Sequence, residues 1–569
     1  MRKVVLTIIS LLLIMVVVAA GYFWSITQPT KPPKSQAFIN GQVLTMDANN
    51  RIANALLLNS ERIIQLGSTE EILQSTTSNT VIHDLGGRTL MPGFIDAHGH
   101  FPGSGAFAVS ANLNAPPIGN VSSIAELKAA LSATLKTKNK NEWLFGMGYD
   151  DTLIAEKRHP TRQDLDMVST DHPIYIMHVS GHLGVANTAA LERLNISAST
   201  QAPEGGIIDK DASGQLTGLL KETATTEIMA EATDFSLVDT WQIVRSAAAE
   251  YASQGVTTVQ NGAADKRMVV GLKMATRFNV IPQRVEVWPL HTTLSAQELE
   301  SERADNNLKM NIGAIKIVAD GSIQAYTAYL SRPYHVVPSS EEADYRGHSN
   351  QKVERLNEWV MDFHKRGLQL ALHGNGDAAI EQILNAVQAA QKVHPIEDPR
   401  HILIHAQMAR QDQLERMQDL GITPSFFSAH TYYWGDRHQS IFMGPERAAF
   451  MSPAKASEDL GLRYTIHLDA PVVPMQPLRL VWSAVNRLSF NGNVIGAEQR
   501  ISPMNALRAT TIDAAWQIFK QEQIGSLEVG KLADLVILND DPLTDTDKIA
   551  DLKVDATYVG GNLIYKRTR

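Results

Sequence analysis

The chain has 569 residues, of which 44% are hydrophobic and 20% charged, so its composition is that of a globular protein rather than a disordered or fibrous one. Its formal net charge is −9, and no dense run of Lys and Arg occurs beyond the amino terminus, so we expect no nucleic-acid partner. The chain has no cysteine, which excludes disulfides, thiolate metal sites and cysteine nucleophiles. A small-molecule partner fits this composition better.

The amino terminus is predicted to lie outside the folded domain. An uncharged, apolar run up to Ile26 follows Arg2 and Lys3, and roughly 20 apolar residues suffice for a transmembrane helix. We predict that residues 1–27 form a membrane anchor or a cleaved signal segment, and that residues 28–35 are a proline-rich linker. Because positive charge remains cytoplasmic, the folded domain would be periplasmic or extracellular, and secreted if the segment is cleaved.

Short strands separated by turns are predicted at both ends of the chain, in residues 36–90 and 516–569. The first set is too small to complete a β module, and the second set has the same strand-turn-strand character. We therefore predict one small β-sandwich built from both termini, which closes around residues 91–515.

The middle of the chain, residues 91–515, carries eight short apolar strands separated by helical segments, with an insertion at about 101–240. This alternation is typical of an α/β fold of the (β/α)8 TIM barrel type, in which the carboxyl ends of the strands converge on the active site. A doubly wound open sheet is the alternative, but it concentrates its site at one switch point. The strands are predicted at 94–97, 255–259, 284–287, 314–318, 368–372, 402–404, 422–427 and 464–466.

Candidate metal ligands stand at the ends of several of these strands. His98 and His100 are two residues apart on an extended segment, so both imidazoles share one face and can hold one cation. A lone histidine at a strand end is more often a core or loop residue than a ligand, so the set is more informative than any one member. The full set is His98, His100, Lys316, His373, His405 and Asp469.

Lys316 is the most informative member of the set, because it lies within an apolar strand where a lysine is costly to bury without a partner. An ion pair with Asp320 would explain it without any metal. A desolvated lysine also has a lowered pKa, and its neutral amine can react with carbon dioxide to give an anionic carbamate that would bridge two metals.

Several motifs carry a family resemblance. The segment 91–100, Met-Pro-Gly-Phe-Ile-Asp-Ala-His-Gly-His, resembles the opening signature of the metal-dependent amidohydrolase superfamily. The stretches 218–222, 316–322 and 467–472 resemble the branch that contains N-substituted formamide deformylases, and 525–535 resembles the return of the chain into the sandwich. The resemblance extends over nearly all of the chain after the predicted linker.

This resemblance implies a site with one or two divalent ions, for which Zn²⁺ is the first choice among metals that accept His and oxygen ligands. Carboxylated Lys316 would bridge the two metals, and Asp469 would touch the first metal and the attacking water. The first metal would be held by His98 and His100, and the second by His373 and His405.

The predicted activity is cleavage of an amide-type C–N bond, N-formyl or N-acyl, in a small molecule by metal-activated hydroxide. Asp469 would accept the proton of the water and return it to the departing amine. His182 would polarise the carbonyl or hold the substrate. Glu222 would replace Lys316 as the bridge if the lysine is unmodified, although a solvated helix carboxylate is the simpler interpretation of Glu222.

Two other functions remain open at this stage. A deaminase acting on a ring C=N would use the same scaffold, but related deaminases carry a glutamate three residues after the fifth-strand histidine, where this chain has Gly376. A membrane-tethered, non-catalytic metal-binding protein is the alternative from another class, since a scaffold alone does not fix function. A homodimer is also left open.

Overall fold

A computed structural model describes residues 31–338 and 341–568. Strands from both ends of the chain pair in one six-stranded sheet, where Val536 lies opposite Met91 in an antiparallel pair. A four-stranded sheet packs with it around a shared core that includes Phe38, Leu56 and Leu535. In spatial order, the first sheet comprises Asn562–Lys566, Val554–Val559, Leu535–Leu538, Thr89–Pro92, Gln42–Leu44 and Ile52–Ala53, and the second comprises Arg62–Gly67, Ala55–Asn59, Ser35–Ile39 and Val81–Asp84.

The central strands are parallel and form a four-stranded and a five-stranded sheet, which confirms the expected α/β class. Because the strands lie in two sheets, the predicted closed barrel is not confirmed. The two sheets meet at a parallel bridge between Leu290 and Lys316 and where the Asp469 N–H donates to the His98 carbonyl, 3.2 Å away. The four-stranded sheet comprises Met310–Ile312, Arg284–Pro289, Val256–Ala264 and Phe94–Ile95, and the five-stranded sheet comprises Ile315–Val318, Leu370–Gly374, His401–His405, Ile422–Phe426 and Thr465–Ile466.

Helices separate these parallel strands, as parallel pairing requires a crossover connection of a dozen or more residues. Strands such as His401–His405 are buried along their whole length, because the helices cover the sheet and exclude water from it. The longer helices of this part are Leu237–Ser253, Lys266–Arg277, Ala296–Ala304, Val353–Lys365, Asp377–Val393, Gln411–Asp419, His430–Arg437, Pro477–Asn486 and Pro503–Ala509.

The segment between the first and second central strands forms a mixed sheet of its own. This sheet has a separate hydrophobic core that includes Leu131, Leu144 and Ile174. Its six strands, in spatial order, are Gly206–Lys210, Leu216–Glu222, Leu183–Ala186, Ile174–His178, Leu144–Tyr149 and Ala111–Asn112, and its helices are Ile124–Leu135, Arg162–Asp166, Thr188–Arg193 and Thr226–Ala232.

The described part of the structure contradicts the predicted membrane-anchored localisation. Within residues 31–338 and 341–568, no helix is long and apolar enough to cross a bilayer. The predicted anchor itself, residues 1–27, lies outside the described residues. The membrane and homodimer predictions gain no support and are not carried further.

Candidate metal centre

All six predicted ligands stand at or near the carboxyl ends of the central parallel strands. His98 and His100 follow the strand Phe94–Ile95, and Asp469 follows Thr465–Ile466. Parallel strands bring their carboxyl ends to the same edge, which explains how residues so distant in sequence come together. The other three, Lys316, His373 and His405, lie within the strands Ile315–Val318, Leu370–Gly374 and His401–His405.

Asp469 is the centre of this cluster. Its Oδ1 lies 3.1 Å from His100 Nε2 and 3.4 Å from His98 Nε2, and its Oδ2 lies 3.9 Å from His405 Nε2. His98, His405 and Asp469 each offer one ligand atom, and these three atoms lie within 4.8 Å of one another. One carboxylate is thus shared by histidines from both parallel sheets.

Lys316 is 2% exposed, and its Nζ lies 3.2 Å from His98 Nε2. Burial lowers the pKa of Lys316 to about 8, so its amine loses its proton more readily than that of an exposed lysine. The alternative partner, Asp320, accepts hydrogen bonds from the N–H groups of Asn375 and Gly376 instead. An Asp320 ion pair therefore does not account for the buried lysine.

His373 and His182 extend the cluster on the far side of His405. The ring of His373 packs against that of His405 with centroids 4.6 Å apart, and its Nδ1 lies 3.4 Å from Asp320 Oδ1. The ring of His182 lies 5.4 Å from that of His373, and its Nδ1 is 3.0 Å from Glu222 Oε2. Glu222 is buried at a strand end, so its interpretation as a solvated helix carboxylate is wrong.

The electrostatics of the cluster fit a divalent cation. Burial lowers the pKa of His98 and His405, which keeps both rings in the neutral form that ligates metals. Burial alone would raise the pKa of Asp469, but its close contacts with His100 and the other rings hold it well below its usual value. Neutral imidazoles around an ionised carboxylate, whose Oδ1 accepts no hydrogen bond from the described residues, match the donor set that zinc sites use.

The backbone at two of these residues is unusual. His405 has a φ of 69° and Asp469 a φ of 56°, in the left-handed region that residues other than glycine rarely adopt. Such conformations cost of order 1–3 kcal/mol each and cluster at functional sites. Tertiary contacts therefore hold both side chains in place against a local preference.

Three residues that support the cluster were not identified from the sequence. His467 Nε2 lies 3.0 Å from His405 Nδ1, and Ser425 Oγ lies 2.9 Å from His467 Nδ1, so this relay orients the His405 ring. Trp288 stacks on His98 with ring centroids 5.8 Å apart. For His467, the sequence offered one signal of a role at the site. His467 is two residues before Asp469, and residues two apart on an extended segment share a face.

A second group of potential ligands, Asp150, Asp151 and His178, also has ligand atoms within 4.8 Å of one another. Arg437 Nη1 donates to Asp150 Oδ2 at 2.6 Å, so this carboxylate already has a cationic partner. The Ser180 N–H donates to His178 Nδ1 at 3.1 Å, which places the proton of the neutral ring on Nε2, 3.2 Å from Asp151 Oδ1. The Arg437–Asp150 pair therefore makes this group an ion-paired network.

Comparison with known proteins confirms the resemblance. The sequence profile of the amidohydrolase family matches residues 81–565. The N-substituted formamide deformylase of Arthrobacter pascens is 29% identical over 545 residues, covering 93% of this chain and 98% of that protein. The Arabidopsis thaliana protein LONG AFTER FAR-RED 3 is 26% identical over 568 residues, covering 95% and 94%. An uncharacterized metal-dependent hydrolase from Pyrococcus horikoshii has a crystal structure with a TM-score of 0.71 at 26% identity, covering 90% and 99%.

The match is not confined to one motif. It begins before His98, continues past Asp469 and includes the terminal strands that pair with Thr89–Pro92. The similar proteins are covered over almost their whole length, so the likeness extends over the whole fold. We conclude that the chain belongs to the amidohydrolase family and is a metal-dependent hydrolase that acts on carbon–nitrogen bonds.

Proposed function

We propose that the protein cleaves the C–N bond of an N-formyl or N-acyl amine by means of a metal-activated water. The observation that carries this proposal is the Asp469 carboxylate, which lies within 3.1–3.9 Å of three histidine nitrogens at the edge where the central strands end. The substrate class rests on the likeness to an N-substituted formamide deformylase.

The proposed ligand set rests on these contacts together with the family resemblance. His98 and His100 with Asp469 would hold one cation, and His373 and His405 a second, with Zn²⁺ as the first choice for His and oxygen donors. Carboxylation of Lys316 would add carbon dioxide to its neutral amine with loss of one proton. A divalent cation held by these residues would lower the pKa of water from 15.7 to about 7 and would polarise a carbonyl.

The protein's own groups would move the protons. Asp469 is ionised because the surrounding histidines lower its pKa, so it can accept a proton from the attacking water. It would then donate that proton to the departing amine, a role that typically contributes 10²- to 10⁴-fold in rate. His182, beside His373, would polarise the carbonyl or hold the substrate.

We infer that the two parallel sheets close into one (β/α)8 barrel over residues 91–515, with an insertion at about 101–240, in which Met310–Ile312 and Ile315–Val318 are one interrupted strand. The bridge between Leu290 and Lys316 and the hydrogen bond from Asp469 to His98 support closure on both sides. The pairing of residues 36–90 with residues 516–569 supports one sandwich built from both termini.

The test combines metal analysis with turnover. The full chain is purified, its metal content per chain is measured, and a panel of N-formyl amines, N-acyl amines and ring C=N substrates is assayed. We expect bound divalent metal and amide cleavage that Asp469→Asn reduces by 10²- to 10⁴-fold. The matched control is Asp151→Asn in the ion-paired network, which should retain metal content.

Two outcomes contradict the proposal. Cleavage of a ring C=N without any amide cleavage favours the deaminase. Bound metal without Asp469-dependent turnover of any substrate in the panel favours a binding protein.

A further inference from the structure

Glu222 is a buried carboxylate that the proposed reaction does not use. It ends the strand Leu216–Glu222 and is 7% exposed. Its backbone has φ of 50° and ψ of −127°, a combination that residues other than glycine rarely adopt. Strain of this kind persists only where the surrounding structure over-determines it, and it clusters at functional sites.

The contacts of Glu222 converge on His182. Glu222 Oε2 lies 3.0 Å from His182 Nδ1, and the Glu222 N–H donates to the His182 carbonyl at 2.7 Å. Asn350 Nδ2 donates to the same Oε2 at 3.1 Å, which fixes the carboxylate from the other side. Glu222 is thereby held rigidly against both the backbone and the ring of His182.

The Glu222 carboxylate packs closely against the backbone of Gly321. A Cβ atom on Gly321 would lie 2.4 Å from Glu222 Oε1, so the carboxylate fits only because residue 321 has no side chain. Gly321 follows Asp320, the residue that faces His373. The carboxylate that holds His182 and the carboxylate that faces His373 are thus supported by the same loop.

The pairing assigns the two nitrogens of His182 to different tasks. Because Glu222 is an acceptor, His182 Nδ1 carries a proton and donates to it, which leaves Nε2 for another partner. The side chain of His182 is 20% exposed, in contrast to the fully buried His98, and it lies beside His373. Its Nε2 is available to a substrate at the candidate metal centre.

We propose that Glu222 is a positioning residue that holds His182 so that Nε2 contacts the substrate. This inference rests on the proposed function, because it assigns a substrate contact of the same site. A carboxylate that orients a metal-ligating histidine typically contributes 10- to 100-fold to metal affinity or activity, and we expect an effect of the same order for a histidine that contacts the substrate.

The test is Glu222→Gln, which keeps the size of the side chain and removes its charge. We expect kcat to fall 10- to 100-fold while the metal content per chain stays at the wild-type value. The matched control is Glu227→Gln, five residues along on an exposed surface, which should change neither quantity.

A double-mutant cycle separates positioning from a merely structural role. If Glu222 acts through His182, the double variant Glu222→Gln/His182→Gln should be no slower than His182→Gln alone. Multiplied losses in the double variant, or full kcat in Glu222→Gln, overturn the inference. If Glu222→Gln does not fold, His182→Gln carries the test, and full kcat in that variant overturns the inference.

Failure of this inference is distinguishable from failure of the proposed function. If only this inference fails, the wild type cleaves amides in an Asp469-dependent way and Glu222→Gln has the same kcat. If the proposed function fails, the wild type itself cleaves no amide.

Discussion

Two groups of histidine and aspartate in this protein each bring three potential ligand atoms within 4.8 Å of one another, yet they differ in chemistry. Around Asp469, buried neutral rings approach an ionised carboxylate, and no Arg or Lys hydrogen bond to that carboxylate is present in the described part of the chain. Around Asp150, the charge is balanced by Arg437, and a backbone N–H occupies His178 Nδ1. Charge balance and ring tautomer, more than the proximity of ligands, therefore distinguish a metal site from an ion-pair network.

The largest expected effect comes from exchanging one histidine in each group. His405→Gln should release metal from the chain and reduce amide cleavage to the background rate, because the loss of even an outer partner costs 10- to 100-fold in metal affinity. His178→Gln should keep the full metal content. Metal analysis of both variants checks the prediction, and equal metal loss in the two would show that the groups do not differ as described.

A smaller effect is expected from removing the cation that balances the second group. Arg437→Met leaves Asp150 buried without its partner and should lower the free energy of unfolding by about 3–5 kcal/mol. Adding Asp150→Asn to this variant should restore part of the loss, since the uncompensated charge is then gone. Arg158→Met, which breaks an exposed pair with Asp164, is the control and should cost at most about 1 kcal/mol. Urea unfolding measures all three, and an Arg437→Met variant as stable as the control would contradict the prediction.

The smallest expected effect concerns Glu286, a buried carboxyl that has no cationic hydrogen-bond partner among the described residues. Its oxygens accept from Asn311 Nδ2 at 2.8 Å and Trp288 Nε1 at 3.1 Å, and burial raises its pKa from 4.5 to about 7. Because the folded pKa is the higher one, its stabilising contribution is complete below pH 4.5 and is lost as the pH rises through 7.

Glu286→Gln removes this titration. Relative to the wild type, the variant should gain up to about 3 kcal/mol between pH 4 and pH 8, at 1.36 kcal/mol for each unit of pKa shift. Unfolding midpoints measured across this range check the prediction. Parallel curves for the two proteins would show that the pKa of Glu286 is the same in the folded and the unfolded state, and would contradict the prediction.

Much of the candidate site was accessible from the sequence because parallel strands deliver their terminal residues to one edge. His98, His405 and Asp469 were predicted in this way, and the structure brings them together. Asp320 was considered as a partner of Lys316, since the two residues share strand parity, but the chain turns after the strand and Asp320 faces His373. Local periodicity does not describe a side chain beyond the end of its strand.

Glu222 and Arg437 show the other limit. Glu222 was interpreted as a solvated carboxylate, yet it meets His182, which is 40 residues earlier. Arg437 meets Asp150 over a separation of 287 residues. Neither partner is encoded by spacing. The first contact depends on the pairing of Leu183–Ala186 with Leu216–Glu222 inside the inserted sheet, and the second depends on how that sheet packs against the helix His430–Arg437.

The sequence by itself determined the α/β class, the family, and the residues that end the central strands, because hydrophobic periodicity and short motifs are local properties of the chain. Only the tertiary structure decided which carboxylates are paired with arginine, which ring nitrogen carries the proton, and which side chains support the ligands. These outcomes depend on burial and on contacts between distant segments, which exist only once the chain has folded.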